Sequence, residues 1–381
     1  MQQIDRNTLD LLRAVATPES QATSAAIAER AKEITHWDLV IEHARRHGLL
    51  PILYRRVEFA DFVPPEALQQ MKTEFERNAF HCMTNAEELL GVLDAFQQAG
   101  IAAIPFKGVV LAASAYGDMT LRSAGDLDLL IRFDDLNRAS QILQQRQYVL
   151  KTSTLEDGSP EAENYFEYHF ERPADGMILE LRWRLELTQP RYRHNLGLDW
   201  AWPRRKSITV AGADVTSLDP VCSLLVLCMH GSKHAWSRWI WVCDVAMLIE
   251  SEPALDWEFA RREARRVGLE RCLALGVLLA NLAGANVPLP ALTSFEADED
   301  AKNMATFFVS HIFQSPGAVP GGPVPYFLRI LGFRDRMRCL FSPAILKPNE
   351  RDRAAIKLPK ALEPLYYVIR PFRILRDRSG K

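Results

Sequence analysis

Asp126-Leu127-Asp128 sets two carboxylates one residue apart at the head of an apolar run, within LRSAGDLDLLIR from Leu121 to Arg132. If the run is a strand, side chains alternate between its faces. Asp126 and Asp128 then share one face, while Leu127 and Leu129 point into a core. Two like charges side by side repel, and a divalent cation is their usual remedy, because carboxylate oxygens are hard ligands. On its own the pair also reads as a solvated strand start, so its neighbours carry the weight.

Those neighbours are basic and acidic in the right places. Lys107-Gly108 closes the short apolar run Ile101 to Phe106 and opens a helix, a position suited to phosphate oxygens. Arg122 precedes Asp126 by four residues. Further on, MILELRWRLEL (Met177 to Leu187) alternates cleanly. Leu179, Leu181, Trp183 and Leu185 form one face; Glu180, Arg182 and Arg184 form the other. Asp126, Asp128 and Glu180 are then three carboxylates from two strands, enough to hold metal.

This ordered set resembles the polymerase-β-like nucleotidyltransferase superfamily, and within it a bacterial family of uncharacterised nucleotidyltransferases. Its hallmark is Lys-Gly after a strand, then Tyr, Arg and Gly-Asp-x-Asp, here Lys107-Gly108, Tyr116, Arg122 and Gly125-Asp126-Leu127-Asp128. The resemblance extends to Trp37–Tyr54, Glu180–Trp183, the helix from His230, and Leu365–Pro371, nearly the whole chain. The sequence departs from the pattern at two places. Lys107-Gly108 stands where active members of the wider superfamily carry Gly-Ser, and Arg182 where the family often has His.

The resemblance implies transfer of an NMP from an NTP, ATP being expected, to a hydroxyl or similar acceptor, with pyrophosphate released. Two Mg²⁺ (or Mn²⁺) ions about 3.5–4 Å apart would clamp the attacking and leaving oxygens. Asp126, Asp128 and Glu180 would hold them, and Lys107, Gly108, Arg122, Arg182 and Arg184 would contact the triphosphate. Lys233 and His234, in the His230–Trp236 segment, would reach the same ligand from a helical subdomain; without the glutamate of HExxH, that segment is weak as a zinc site. The acceptor is left open between a small molecule and a peptide or protein. A degenerate fold kept as a nucleotide- or partner-binding module is the first alternative, and RNA-directed transfer the second.

The elements that must position these residues give a fold class of α+β (α/β), a mixed sheet flanked by helices. The expected units are a helical region 1–98, a transferase core 99–217 with the order β-α-β-α-β-β-β, and a helical region 218–381. Asp134 or Asp135 should cap the helix after Asp128's strand, and Asp219 with Pro220 should open the first helix of the last unit. His43 and His47, one turn apart, lack a third ligand and read as a helix face.

Composition excludes other classes. At 48% hydrophobic and 25% charged residues, the 381-residue chain is of ordinary globular type. Its six cysteines form no CxxC pair and suit reduced core thiols in the cytoplasm. The uncharged run Cys272–Phe295 contains two asparagines and two prolines, so a buried helix followed by a loop is expected rather than a membrane span. From Arg329 onward, 14 Lys/Arg face 5 Asp/Glu. That basic, aromatic tail could bind nucleic acid, but amphipathic helices packed on the body are the favoured reading.

Overall fold

The computed structural model describes residues 4–18, 24–152, 166–185, 196–315 and 317–322, with 326, 329–331, 356, 358–367 and 370 of the tail. Most of the basic tail, including Phe327, Phe333, Phe341, Phe372 and Cys339, lies outside the described residues, as do Ser153, Tyr165 and Leu187, which bound the strands expected over Tyr148–Ser153, Tyr165–Glu171 and Met177–Leu187.

Helices α1 (Arg6–Ala16), α2 (Ser24–Lys32), α3 (Trp37–His47), α4 (Leu50–Val57) and α5 (Pro65–Gln98) come first. The sheet region contains β1 (Ala103–Phe106), α6 (Gly108–Leu111), β2 (Asp126–Ile131), α7 (Leu136–Gln145), β3 (Val149–Leu150), β4 (Glu167–Arg172) and β5 (Met177–Arg182). A short helix α8 (Leu198–Ala201) and the hairpin β6 (Lys206–Val210) and β7 (Ala213–Ser217) lead into α9 (Pro220–Lys233), α10 (Trp239–Ser251), α11 (Trp257–Val267), α12 (Glu270–Leu282), α13 (Leu289–Glu296) and α14 (Glu299–His311).

The five-stranded sheet has the order β1-β2-β5-β4-β3. Only β2 and β5 run parallel; the other neighbours are antiparallel, so the sheet is mixed and the fold α+β. Alternation then divides the side chains. Leu127, Leu129, Leu179, Leu181, Tyr168 and Phe170 are buried on one face, in a cluster completed by Leu89, Val92 and Phe96 of α5. On the other face Asp128 of β2, Glu180 of β5 and His169 of β4 stand in one row, because Asp128 pairs with Glu180 and Glu180 with His169.

Apart from His169, whose side chain is 44% exposed, that second face is largely covered, unlike that of a simple amphipathic strand. Leu130 and Phe106 sit in a second cluster, shared by the N-terminal helices (Leu11, Leu53) and the C-terminal ones (Leu225, Leu275). The carboxylate row is therefore roofed by helices from far along the chain. With 34 residues, α5 is about 51 Å long. Its Met71 end packs in the shared helical cluster and its Phe96 end under the sheet.

Three local expectations are revised and one stands. The helix from Gly108 to Tyr116 is one α-turn followed by a π-turn, Ala112–Tyr116. Neither aspartate caps α7: Asp135 is in helical conformation and bonds Arg138 instead. Helix α13 fills the expected loop after α12, its Pro290 allowed in the first turn where no backbone donor is needed. Asp219, by contrast, caps α9 as read, accepting from the Cys222 N–H at 2.6 Å.

Candidate active site

The loop before β2 is fixed from below by α5. Asn85 donates to the Ala124 carbonyl (2.9 Å) and Asn78 to the Thr120 carbonyl (2.7 Å). From the other side, Arg122 meets Asp244 of α10 in a two-pronged ion pair, Nε to Oδ1 at 2.7 Å and Nη2 to Oδ2 at 3.0 Å. Tyr116 donates its hydroxyl to the same Oδ1 at 2.7 Å. Asp244 therefore pairs far outside its own helix. It ties the loop before Asp126 to a helix more than a hundred residues away, so Arg122's charge is already answered inside the fold.

At the mouth of β1, Lys107 (φ 57°) and Gly108 (φ 46°) both take left-handed backbone. A Cβ at Gly108 would meet the Asp126 carbonyl oxygen at 3.4 Å, an ordinary contact, so it is the positive φ rather than the space that favours glycine here. For lysine this conformation carries strain. It aims Lys107 Nζ to 3.8 Å from Asp128 Oδ2. With only four residues in α6, the helix dipole adds little here, and the lysine charge is the main offering to an anion.

Oxygens of Asp126, Asp128 and Glu180 lie within 4.8 Å of one another, as do donor atoms of Glu167, His169 and Glu180. Arg182 sits among them, its Nε 3.0 Å from Asp128 Oδ1, and it pairs also with Glu167 and Glu180. His169 reaches Glu167 at 3.2 Å and Glu180 at 3.5 Å. Burial pushes the Asp126 carboxyl up, helped by the Asp128 charge, and pushes Glu180 up in the same way. Burial acts upward on Asp128 too, but Lys107 and Arg182 outweigh it and hold that carboxyl below its usual range. The three carboxylates are thus not equivalent: Lys107 and Arg182 neutralise Asp128, Glu180 shares Arg182, and Asp126 has no ion-pair partner within 4 Å among the described residues. The all-oxygen set of Asp126, Asp128 and Glu180 fits a hard divalent cation such as Mg²⁺.

Above them opens a cavity of about 320 Å³. Lys107, Asp126, Glu167, Glu180 and Arg182 line its floor; His230, Lys233, His234 and Trp241 line its roof. Gly108, Arg122 and Arg184 do not line it. The roof rings cluster, with His230 4.7 Å from His234 and both within 5.3 Å of Trp241. Burial, with the cations nearby, pushes His230 well down and His234 down to about 4, so both rings are neutral at pH 7. Among the described residues, no metal-ligating group of three includes either histidine, or His43 or His47. Glu167, His169, Tyr116 and Trp241 were missed as site residues; the alternation in EYHFER, which sets Glu167 and His169 on one face, was the readable signal.

Fold and site place the chain among α+β proteins with an acidic, cation-flanked cavity on a mixed sheet. It belongs to the family described as uncharacterised nucleotidyltransferase, whose profile matches residues 33–283. A search of curated proteins found no match. Two solved structures show distant likeness. The antibiotic-resistance factor ANT(2'')-Ia is 14% identical over 48% of this chain and 90% of its own, with a TM-score of 0.32. An antigenic nucleotidyltransferase-like protein from Paracoccidioides brasiliensis is 18% identical over 44% and 75%, with a TM-score of 0.30. No helix among the described residues is long and apolar enough to cross a membrane.

Proposed function

We propose that the protein transfers an NMP from an NTP, with ATP as the expected donor, to an acceptor hydroxyl in the cytoplasm. The polymerase-β-like superfamily supplies the mechanistic expectation. The observation that carries the reading is the meeting of Asp126, Asp128 and Glu180 with Lys107 and Arg182, all of which line one cavity except Asp128, which is buried behind its floor. Residues 99–217, with the second half of α5 beneath them, form the transferring unit.

Asp126, Asp128 and Glu180 would hold Mg²⁺, which when bound supplies Lewis-acid neutralisation of the triphosphate. Lys107, and Lys233 from the roof, bind the β- and γ-phosphates. The acceptor oxygen attacks the α-phosphorus, the bond from that phosphorus to the bridging oxygen breaks, and pyrophosphate leaves with the bonding pair. Glu180, on the cavity floor, takes the acceptor proton. Arg122 orients the loop that carries Asp126 rather than touching phosphate, because Asp244 takes its Nε and Nη2 and Nη1 turns to the Ser123 carbonyl.

A binding module without chemistry is the competing reading, favoured by one observation: Arg182 and Lys107 neutralise Asp128 from within the fold. Candidate acceptors incubated with mixed NTPs and Mg²⁺ separate the two by mass spectrometry. A mass gain of one nucleotidyl group, lost in Glu180→Gln, supports transfer. Nucleotide binding with no modified acceptor and no pyrophosphate favours the module.

A further inference from the structure

In the sheet register Arg182 lies across from Leu130 on β2 and from Glu167 on β4. With no acid directly opposite on β2, its guanidinium reaches back diagonally along the strand pair. Its three nitrogens go three ways: Nε to Asp128, Nη1 to Glu167 and Nη2 to Glu180. The side chain is only 9% exposed. A planar fork that is always charged and already satisfied on three sides is a fixed group.

A second divalent ion beside the first would need oxygens of Asp128 and Glu180 that no cation already holds. On the Glu180 side those oxygens face Arg182, and a cation placed between them would meet the guanidinium. The Asp126 side differs. The Asp126 carboxylate has no ion-pair partner within 4 Å among the described residues, and it lines the cavity. Arg182 takes Asp128 by Oδ1, and Oδ2 has Lys107 only at 3.8 Å.

Resting on the transferase reading above, we infer that this site takes one divalent cation, on the Asp126 side, and that Arg182 is the fixed positive charge in place of the second. Arg182 is a positioning residue on this account. It keeps Glu180, Glu167 and Asp128 together and leaves deprotonation of the acceptor to a carboxylate, because a guanidinium, unlike a metal ion, cannot lower the pKa of a hydroxyl by ligating it.

The test counts ions on the full-length protein. Mn²⁺ is titrated into protein saturated with α,β-methylene-ATP, and bound Mn²⁺ is read by electron paramagnetic resonance against bound nucleotide. The wild type should hold one Mn²⁺ per nucleotide; two would overturn the inference and leave the transferase reading standing. Failure to bind the nucleotide at all would overturn both. Arg182→Met should rise to two ions and Arg182→Lys stay at one. A folded Arg182→Met, checked by circular dichroism, that still holds one ion removes Arg182 from the role. Should Arg182→Met not fold, the wild-type count alone decides.

Discussion

Replacing Asp244 by alanine should cost the protein a large part of its stability, although the residue is far in sequence from the carboxylate cluster. Its side chain is 2% exposed and that of Arg122 10%. Removing the carboxylate leaves a guanidinium that cannot deprotonate, buried without its counter-charge, and a Tyr116 hydroxyl without its acceptor. Breaking such a pair from one side costs about 3–5 kcal/mol. With a urea m-value on the order of 3 kcal/mol/M for a chain this long, the denaturation midpoint should fall by about 1 to 1.7 M. The double variant Arg122→Met/Asp244→Leu tests the cause, because removing both charges should recover most of the loss. The readout is equilibrium urea denaturation followed by tryptophan fluorescence. A loss below about 1 kcal/mol for Asp244→Ala, or a double variant no better than the single, would refute the buried pair as the tie between the β2 loop and α10.

Further outcomes follow from the same contacts. Asp128→Asn should destabilise the metal-free protein by about 1.5–3 kcal/mol, since it strips charge from the partner of Lys107 and Arg182; Asp126→Asn, with no such partners, should leave metal-free stability nearly unchanged while weakening Mg²⁺-dependent nucleotide binding in calorimetry. His47 is fully buried and its ring is pushed down to about 3. The unfolded chain protonates near pH 6.5 and the native state does not, so stability should fall as pH drops from 6.5, by about 2 kcal/mol at pH 5. His47→Gln should make the fall between pH 7 and pH 5 shallower in denaturation curves by about that amount, the remainder belonging to the other buried histidines, His230 and His234 among them. At Gly231 an added Cβ would lie 2.5 Å from the buried Trp236 ring, so Gly231→Ala should lower stability by about 1–3 kcal/mol and alter Trp236 fluorescence.

The carboxylate row was legible because strand alternation is a local property: Asp126, Asp128 and Glu180 needed only period two and a parallel neighbour to meet. The partners of that row were harder. Adding Asp128 to two nearby acids suggests repulsion that Asn would relieve, but Lys107 and Arg182 reverse the sign, and their reach depends on a left-handed Lys107 backbone and a diagonal contact across strands. Arg122 reads as a phosphate ligand until its buried acceptor appears 122 residues later in α10. The roof of the cavity is similarly non-local. His230 and His234 announce a helix face, but which face packs over the sheet is set by the apolar cluster joining both ends of the chain.

The central claim is that the α-phosphorus of an NTP moves to an acceptor. ATP labelled separately at the α- and γ-phosphates, supplied with Mg²⁺ and a small-molecule and peptide acceptor pool, tests it most directly. Label from the α-position should appear on an acceptor with equimolar pyrophosphate, and Asp126→Asn should abolish both. Transfer of the γ-label instead, or α-label transfer that persists in Asp126→Asn, would contradict the account.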